Sequence, residues 1–174
     1  LYMPHSSPKE VKFVGQGSTS FDGDTNEFSI TNYSFTTNST ISMWLKPDEV
    51  DNYRSFFGKG DTYSYVRMKN NFESTRIEGE TDTNEDSFTI DAGETIFTVG
   101  KWVHMTLVWK SDKVFDLYIN GVYKASSSAT TDDSLTISYF GRGYVSDYEF
   151  KGNMKNVAIW ERALSATEVQ NVMY

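Results

Sequence analysis

Asp22, Asp24 and Asn26 stand at alternate positions in the run Asp22-Gly23-Asp24-Thr25-Asn26. Three oxygen-bearing side chains at that spacing converge on one hard cation if the backbone curls, so they are candidate calcium ligands. The run is not an EF-hand. Its sixth position is Glu27, where that loop needs glycine, and its twelfth is Tyr33, where it needs glutamate. Solvated turn residues remain the alternative reading. Asp82, Asn84 and Asp86 repeat the spacing in a loop whose composition fits simple solvation at least as well, and Asp132 with Asp133 is a weaker pair.

A second chemistry is sugar recognition, because pyranose rings present apolar C–H faces to aromatics while charged and amide groups take their hydroxyls. The chain has 12 Phe, 11 Tyr and 4 Trp. Most are needed between the layers of a core, so the useful candidates combine an aromatic or a cation with a loop or a polar strand face. These are Trp44, Tyr63, Tyr65, Tyr144 and Tyr148, with Arg67 and Arg142 as partners for carboxylates or hydroxyls. The segment from Tyr63 to Lys69 is expected to put two tyrosines and two cations on one face.

Catalysis finds little support. His5 lies near the start of the chain, and His104 sits inside a predicted strand, where a structural, hydrogen-bonded role is expected. No serine occupies a G-x-S-x-G turn, and no E-x-D-x-x-E strand offers paired carboxylates for glycoside cleavage. With no cysteine, disulfides, thiolate metal sites and a cysteine nucleophile are all excluded.

The elements that must carry these groups are strands. From Trp102 to Trp109 the chain alternates, with Val103, Met105, Leu107 and Trp109 on one face and Trp102, His104, Thr106 and Val108 on the other. A polar turn at Ser111 to Lys113, a strand from Val114 to Ile119, a tight Asn120-Gly121 turn and a return from Val122 complete a meander. Similar patterns predict strands over 11–14, 18–21, 28–30, 40–46, 54–57, 63–69, 72–77, 88–90, 95–99, 135–140 and 154–160. Residues 31–39 read as polar connection carrying two glycosylation sequons, at Asn32 and Asn38, and 144–149 read as exposed loop. Ser165 followed by Glu168 forms a capping box for one short helix. Strands at regular spacing with one terminal helix predict an all-β, two-sheet antiparallel sandwich.

The order of several motifs resembles the concanavalin A-like domains of the laminin G and pentraxin type. Trp102-Val103-His104 and Leu117-Tyr118-Ile119-Asn120-Gly121 are similar to that family's W-x-H-V-A-x-V and L-Y-V-D-G patterns. Thr40 to Pro47 resembles its F-T-x-x-x-W-x-K-P strand, Phe21-Asp22-Gly23 its F-D-G start, and Phe150 to Ser165 its closing segment. The resemblance implies a jelly roll, a structural calcium near the Asp22 loop and an extracellular or virion-surface setting. Met154-Lys155-Asn156 stands where the family pattern reads I-D-E, which removes an acidic residue from the segment that would complete such a calcium shell.

A chain of 174 residues is long enough for one sizeable core, with residues 1–8 expected as a linker and 9–174 as a single laminin G-like domain. The formal charge of −8 and the lack of a basic cluster argue against nucleic acid, and no apolar run is long enough to span a bilayer. The reading is a non-catalytic recognition module, carbohydrate-binding or adhesive, whose partner is a glycan or glycoprotein and which works beside neighbouring domains of the same polypeptide. A structural or protein-interaction domain is the alternative, and a glycoside hydrolase or lyase is a third.

Overall fold

A computed structural model describes residues 11–12, 17–50, 53–60, 63–70, 74–81, 87–128, 134–143 and 148–173. The strands are β1 (Val11–Lys12), β2 (Thr19–Asp22), β3 (Phe28–Phe35), β4 (Ser39–Pro47), β5 (Tyr53–Gly58), β6 (Tyr65–Asn70) and β7 (Thr75–Glu80). They continue as β8 (Ser87–Asp91), β9 (Val103–Trp109), β10 (Val114–Ile119), β11 (Val122–Ser128), β12 (Leu135–Phe140) and β13 (Lys151–Trp160), followed by helix α1 (Ala166–Asn171).

The strands form two antiparallel sheets packed face to face as a jelly-roll sandwich. Sheet A runs β1-β13-β4-β9-β10-β11, with β2 also paired to β13, and sheet B runs β3-β12-β5-β6-β7-β8. The period of two decides which residues lie between the sheets. In sheet A these include Ile41, Met43, Leu45, Met105, Leu107 and Trp109; in sheet B they include Phe57, Val66, Met68, Ile77 and Ile90, all buried. Phe88, Phe115 and Trp109 stack across the gap, with centroids 4.0 and 4.5 Å apart along the series.

One bulge explains how consecutive phenylalanines both reach the core. The β5–β6 register shifts between Ser55 and Phe57, so Phe56 is an extra residue in β5. Phe56 and Phe57 then both bury, while Tyr53 and Ser55 stay opposite Lys69 and Arg67 on the outer face of sheet B.

Three expectations need correction. Residues Thr31–Phe35 are not a connection but the second half of β3. That strand is mostly exposed and forms one end of sheet B, so it carries few of the apolar residues that mark a buried strand. Thr95–Val99 is not a strand; instead Thr75 captures the segment, its Oγ1 accepting from the Ile96 N–H and its N–H donating to the Glu94 carbonyl. Phe97 drops from this loop into the core, 5.7 Å from Phe56. Finally, Tyr148 is half-buried and Glu149 buried, because the Ser55 N–H donates to the Tyr148 carbonyl at 2.7 Å and draws that segment alongside β5.

Two other expectations hold. Asn120 and Gly121 take the left-handed backbone of a tight hairpin, with φ of 50° and 74°. Ser165 caps α1 by accepting from the Glu168 N–H, and the Glu168 carboxylate accepts from the Ser165 N–H at 2.9 Å. Val169 anchors the helix on Val108 and Tyr118, on the outer face of sheet A.

Candidate functional site

The outer face of sheet B brings together aromatics and charges that lie far apart in sequence. Tyr65, Arg67 and Lys69 project there from β6, alternating with the core residues Val66 and Met68, and Tyr65 is itself covered, at 4% exposed. Register places Tyr53 and Ser55 of β5 beside them, and Glu80, Glu78 and Arg76 of β7 on the other side. Tyr148 arrives from the segment that follows β12.

Arg67 is the centre. Its guanidinium carbon lies 4.3 Å from the Tyr53 ring centroid, 4.6 Å from that of Tyr65 and 5.7 Å from that of Tyr148. Tyr53 and Tyr148 also meet each other, 5.0 Å apart and inclined at 46°. The Arg67 Nε and Nη2 groups donate to Glu78 Oε1 at 2.7 and 2.6 Å, and Lys69 Nζ lies 3.8 Å from Glu78 Oε2. The Arg67 and Glu78 side chains are only 16% and 14% exposed, which shields the pair from the screening that weakens surface ion pairs. A hydrogen bond that the Lys69 ammonium donates to Tyr53, reinforced by the Glu78 charge, holds that ammonium above its usual pKa. Burial pushes the Tyr65 phenol well above the tyrosine range, and its hydrogen bond to Glu80 adds to the shift.

Two loops complete the face. Ser64 adopts a φ of 130°, unusual for any residue but glycine, and two hydrogen bonds hold it there: its Oγ donates to the Thr136 carbonyl at 3.0 Å and accepts from the Thr136 N–H at 2.7 Å. That clamp sets where β6 begins and hence where Tyr65 points. Gly143 lies directly on the sheet, where a Cβ would collide with Ser55 Oγ and come within 3.4 Å of Tyr65 Cβ. Only glycine permits this approach, which keeps the segment carrying Tyr148 against β5.

Of the residues singled out in the sequence, Tyr65, Arg67 and Tyr148 therefore converge. Tyr63 lies just before the Ser64 clamp, outside β6. Arg142 stands apart on the same sheet, its Nη1 2.8 Å from Glu27 and its guanidinium 5.3 Å from the Tyr139 ring. Tyr144 lies outside the described residues. Trp44 is on the other sheet, where Lys155 lies over its ring and that of Trp102 at 5.7 and 4.4 Å, and Lys46 lies over Trp102 at 5.7 Å. Lying on the opposite sheet, Trp44 does not join the tyrosines. Tyr53, Glu78 and Glu80 were missed because cross-strand register, which alone brings them beside Arg67, is not written in any local pattern.

His104 faces the Trp44 side, its ring 5.2 Å from the indole. Its backbone pairs with Asn120 in both directions, and the imidazole is 1% exposed with no hydrogen-bond partner at Nδ1. Burial lowers its pKa from 6.5 to about 4, so the ring is neutral at pH 7.

The Asp22 carboxylate caps its own turn. Asp22 Oδ1 accepts from the N–H groups of Asp24, Thr25 and Asn26, each at 3.0 Å, and Oδ2 accepts from the Thr25 hydroxyl at 3.2 Å. Those donors lower the Asp22 pKa and tie the turn. Among the described residues no group of three His, Cys, Asp or Glu side chains is placed to hold a metal. Residues 82–86 and 131–133, with the weaker acidic candidates, lie outside the described residues.

The profile of the concanavalin A-like lectin/glucanases superfamily matches residues 20–170. The chain belongs to that superfamily. No curated protein matches it in sequence. Among solved structures, this concanavalin A-like chain is similar to domain 4 of AbnA, a GH43 extracellular arabinanase from Geobacillus stearothermophilus in complex with arabinotriose. That match has 18% identity and a TM-score of 0.70, covering 97% of this chain and 82% of that one. The heptameric SAP-like pentraxin of Limulus polyphemus matches at 17% identity and a TM-score of 0.70, covering 89% and 80%. The CBM40 of Ruminococcus gnavus IT-sialidase, bound to α2,3-sialyllactose, matches at 15% identity and a TM-score of 0.64, covering 91% and 97%. Identities this low speak for the shared sandwich. Among the described residues, no helix is long and apolar enough to cross a membrane.

Proposed function

We propose that this concanavalin A-like chain is a non-catalytic carbohydrate-recognition module of a larger extracellular or surface-exposed protein. The binding face is the outer side of sheet B at the partly exposed rings of Tyr53 and Tyr148, which rest on buried Tyr65 and on Arg67. The observation that carries this is the convergence of three tyrosine rings from three separate segments around one fixed Arg67–Glu78 pair. Sugar rings need an aromatic surface edged by polar groups already held in place, and this face supplies both. Two structural neighbours are described with saccharides bound, arabinotriose in one and α2,3-sialyllactose in the other, and the first is described as part of an extracellular enzyme. Glu78 is a poor nucleophile or proton donor while Arg67 and Lys69 engage it, and His104 is buried away from any such role.

The runner-up is a protein-interaction domain, favoured by Val122 and Tyr123, which stand exposed on the end strand β11. A glycan array probed with wild-type protein, Tyr53→Ala and Tyr148→Ala separates the two. The expected result is binding to at least one glycan, weakened about tenfold by each substitution, equivalent to about 1.4 kcal/mol. Binding to no glycan, with stable association of the chain with a partner domain, would hand the function to the runner-up.

A further inference from the structure

An acidic sugar is recognised most readily by a cation with a free two-pronged face, as when arginine offers two parallel N–H groups to a carboxylate. Among the described residues, the cations of sheet B's outer face each already face a carboxylate. Arg67 directs Nε and Nη2 at Glu78, and the rings of Tyr53 and Tyr65 lie close to its guanidinium. Lys69 shares the same carboxylate, Arg76 Nε is 3.1 Å from Asp91, and Arg142 is held by Glu27. On the negative side, Glu80 stands beside Tyr65 and accepts its hydrogen bond, with Oε2 closed off from solvent. The protein as a whole carries −8. A ligand carboxylate arriving here would have to compete with Glu78 for Arg67 and Lys69, and with Asp91 for Arg76.

We propose that this face selects neutral saccharides over acidic ones, and that Glu78, by occupying Arg67, is the residue that sets the selection. The inference rests on the reading of this face as a glycan site. It places the ligand with neutral oligosaccharides such as arabinotriose rather than with sialylated ones such as sialyllactose. Glu78 acts through Arg67 and is a positioning residue. Its removal should change which ligands bind, and not only how tightly.

The test uses the whole chain on an array pairing neutral and acidic glycans, including arabinotriose, lactose, α2,3-sialyllactose and uronic-acid oligomers. Affinities for the strongest ligand of each class are then measured by calorimetry for wild type and Glu78→Gln. The best neutral ligand should bind wild type at least about tenfold more tightly than any acidic one, and Glu78→Gln should shrink that ratio about tenfold by unmasking Arg67. If Glu78 served only to hold the fold, the variant would weaken both classes alike and leave the ratio unmoved, which overturns its assigned role. An acidic glycan that binds wild type as tightly as any neutral one, and is lost in Tyr53→Ala, overturns the selectivity while sparing the site. Binding of no glycan, or binding indifferent to both Tyr53→Ala and Tyr148→Ala, removes the site itself and the inference with it.

Discussion

Acidification from about pH 7.5 to about pH 5 should cost this protein about 2 kcal/mol through His104 alone. The imidazole is 1% exposed, its Nδ1 has no partner, and burial is the cause that lowers its pKa from 6.5 to about 4. A base whose pKa is lower in the folded state takes up its proton more readily when the chain is unfolded. The stabilisation is therefore complete above the unfolded value of 6.5 and is lost as pH falls towards 4. Integrated over that window, the loss is about 2 kcal/mol by pH 5 and about 3 kcal/mol by pH 4. Urea denaturation of wild type and His104→Gln at both pH values isolates the contribution, because the carboxylates common to both proteins cancel in the difference. The variant should be less sensitive than wild type by that amount. Equal losses in the two proteins would refute the reasoning, as would an NMR titration of the His104 ring centred near 6.5.

Two other expectations follow from the site. Gly143→Ala places a methyl group against Ser55 and Tyr65, so it should destabilise the fold by about 1–3 kcal/mol and weaken any glycan that depends on Tyr148; denaturation and calorimetry on the same preparation read both effects. Asp22→Ala should lower the melting temperature by the same amount with and without calcium, because the carboxylate binds its own loop's amides, and chelation should leave wild type unchanged. A chelator-sensitive melting temperature that the substitution abolishes would restore the loop as a cation site.

How much of this could be read in advance depended on what each residue faces. The meander of β9, β10 and β11 was legible because one face is the core and the turn residues have few other uses; Asn120 and Gly121 took their predicted conformations. The second half of β3 was not, because a strand at the end of a sheet with much of its surface in water needs no apolar alternation. Thr95–Val99 failed in the opposite sense: Ile96 and Phe97 are buried as a strand's residues would be, but the backbone is tied to the Thr75 side chain. At the candidate site, the Tyr65 and Arg67 face followed from period-two spacing. The partners Tyr53, Glu78 and Tyr148 come from three other segments, and only the register of β5, β6 and β7 with the clamp on Tyr148 brings them together.

The position of β13 also governs how the chain can be made. Sheet B contains the local run from β5 to β8, and sheet A the meander from β9 to β11, so both can begin to pair soon after synthesis. The rest of sheet A cannot, because β1, β2 and one edge of β4 all pair with a strand that starts at Lys151. On a ribosome adding residues at the usual rate, that edge of β4 waits for roughly 100 further residues, on the order of 5–20 s. Through that interval it offers open hydrogen-bonding groups and the apolar face of Ile41, Met43 and Leu45 to whatever is near. A nascent chain that stops just short of Lys151 is thus the one in which β1, β2 and that edge of β4 all lack their partner strand.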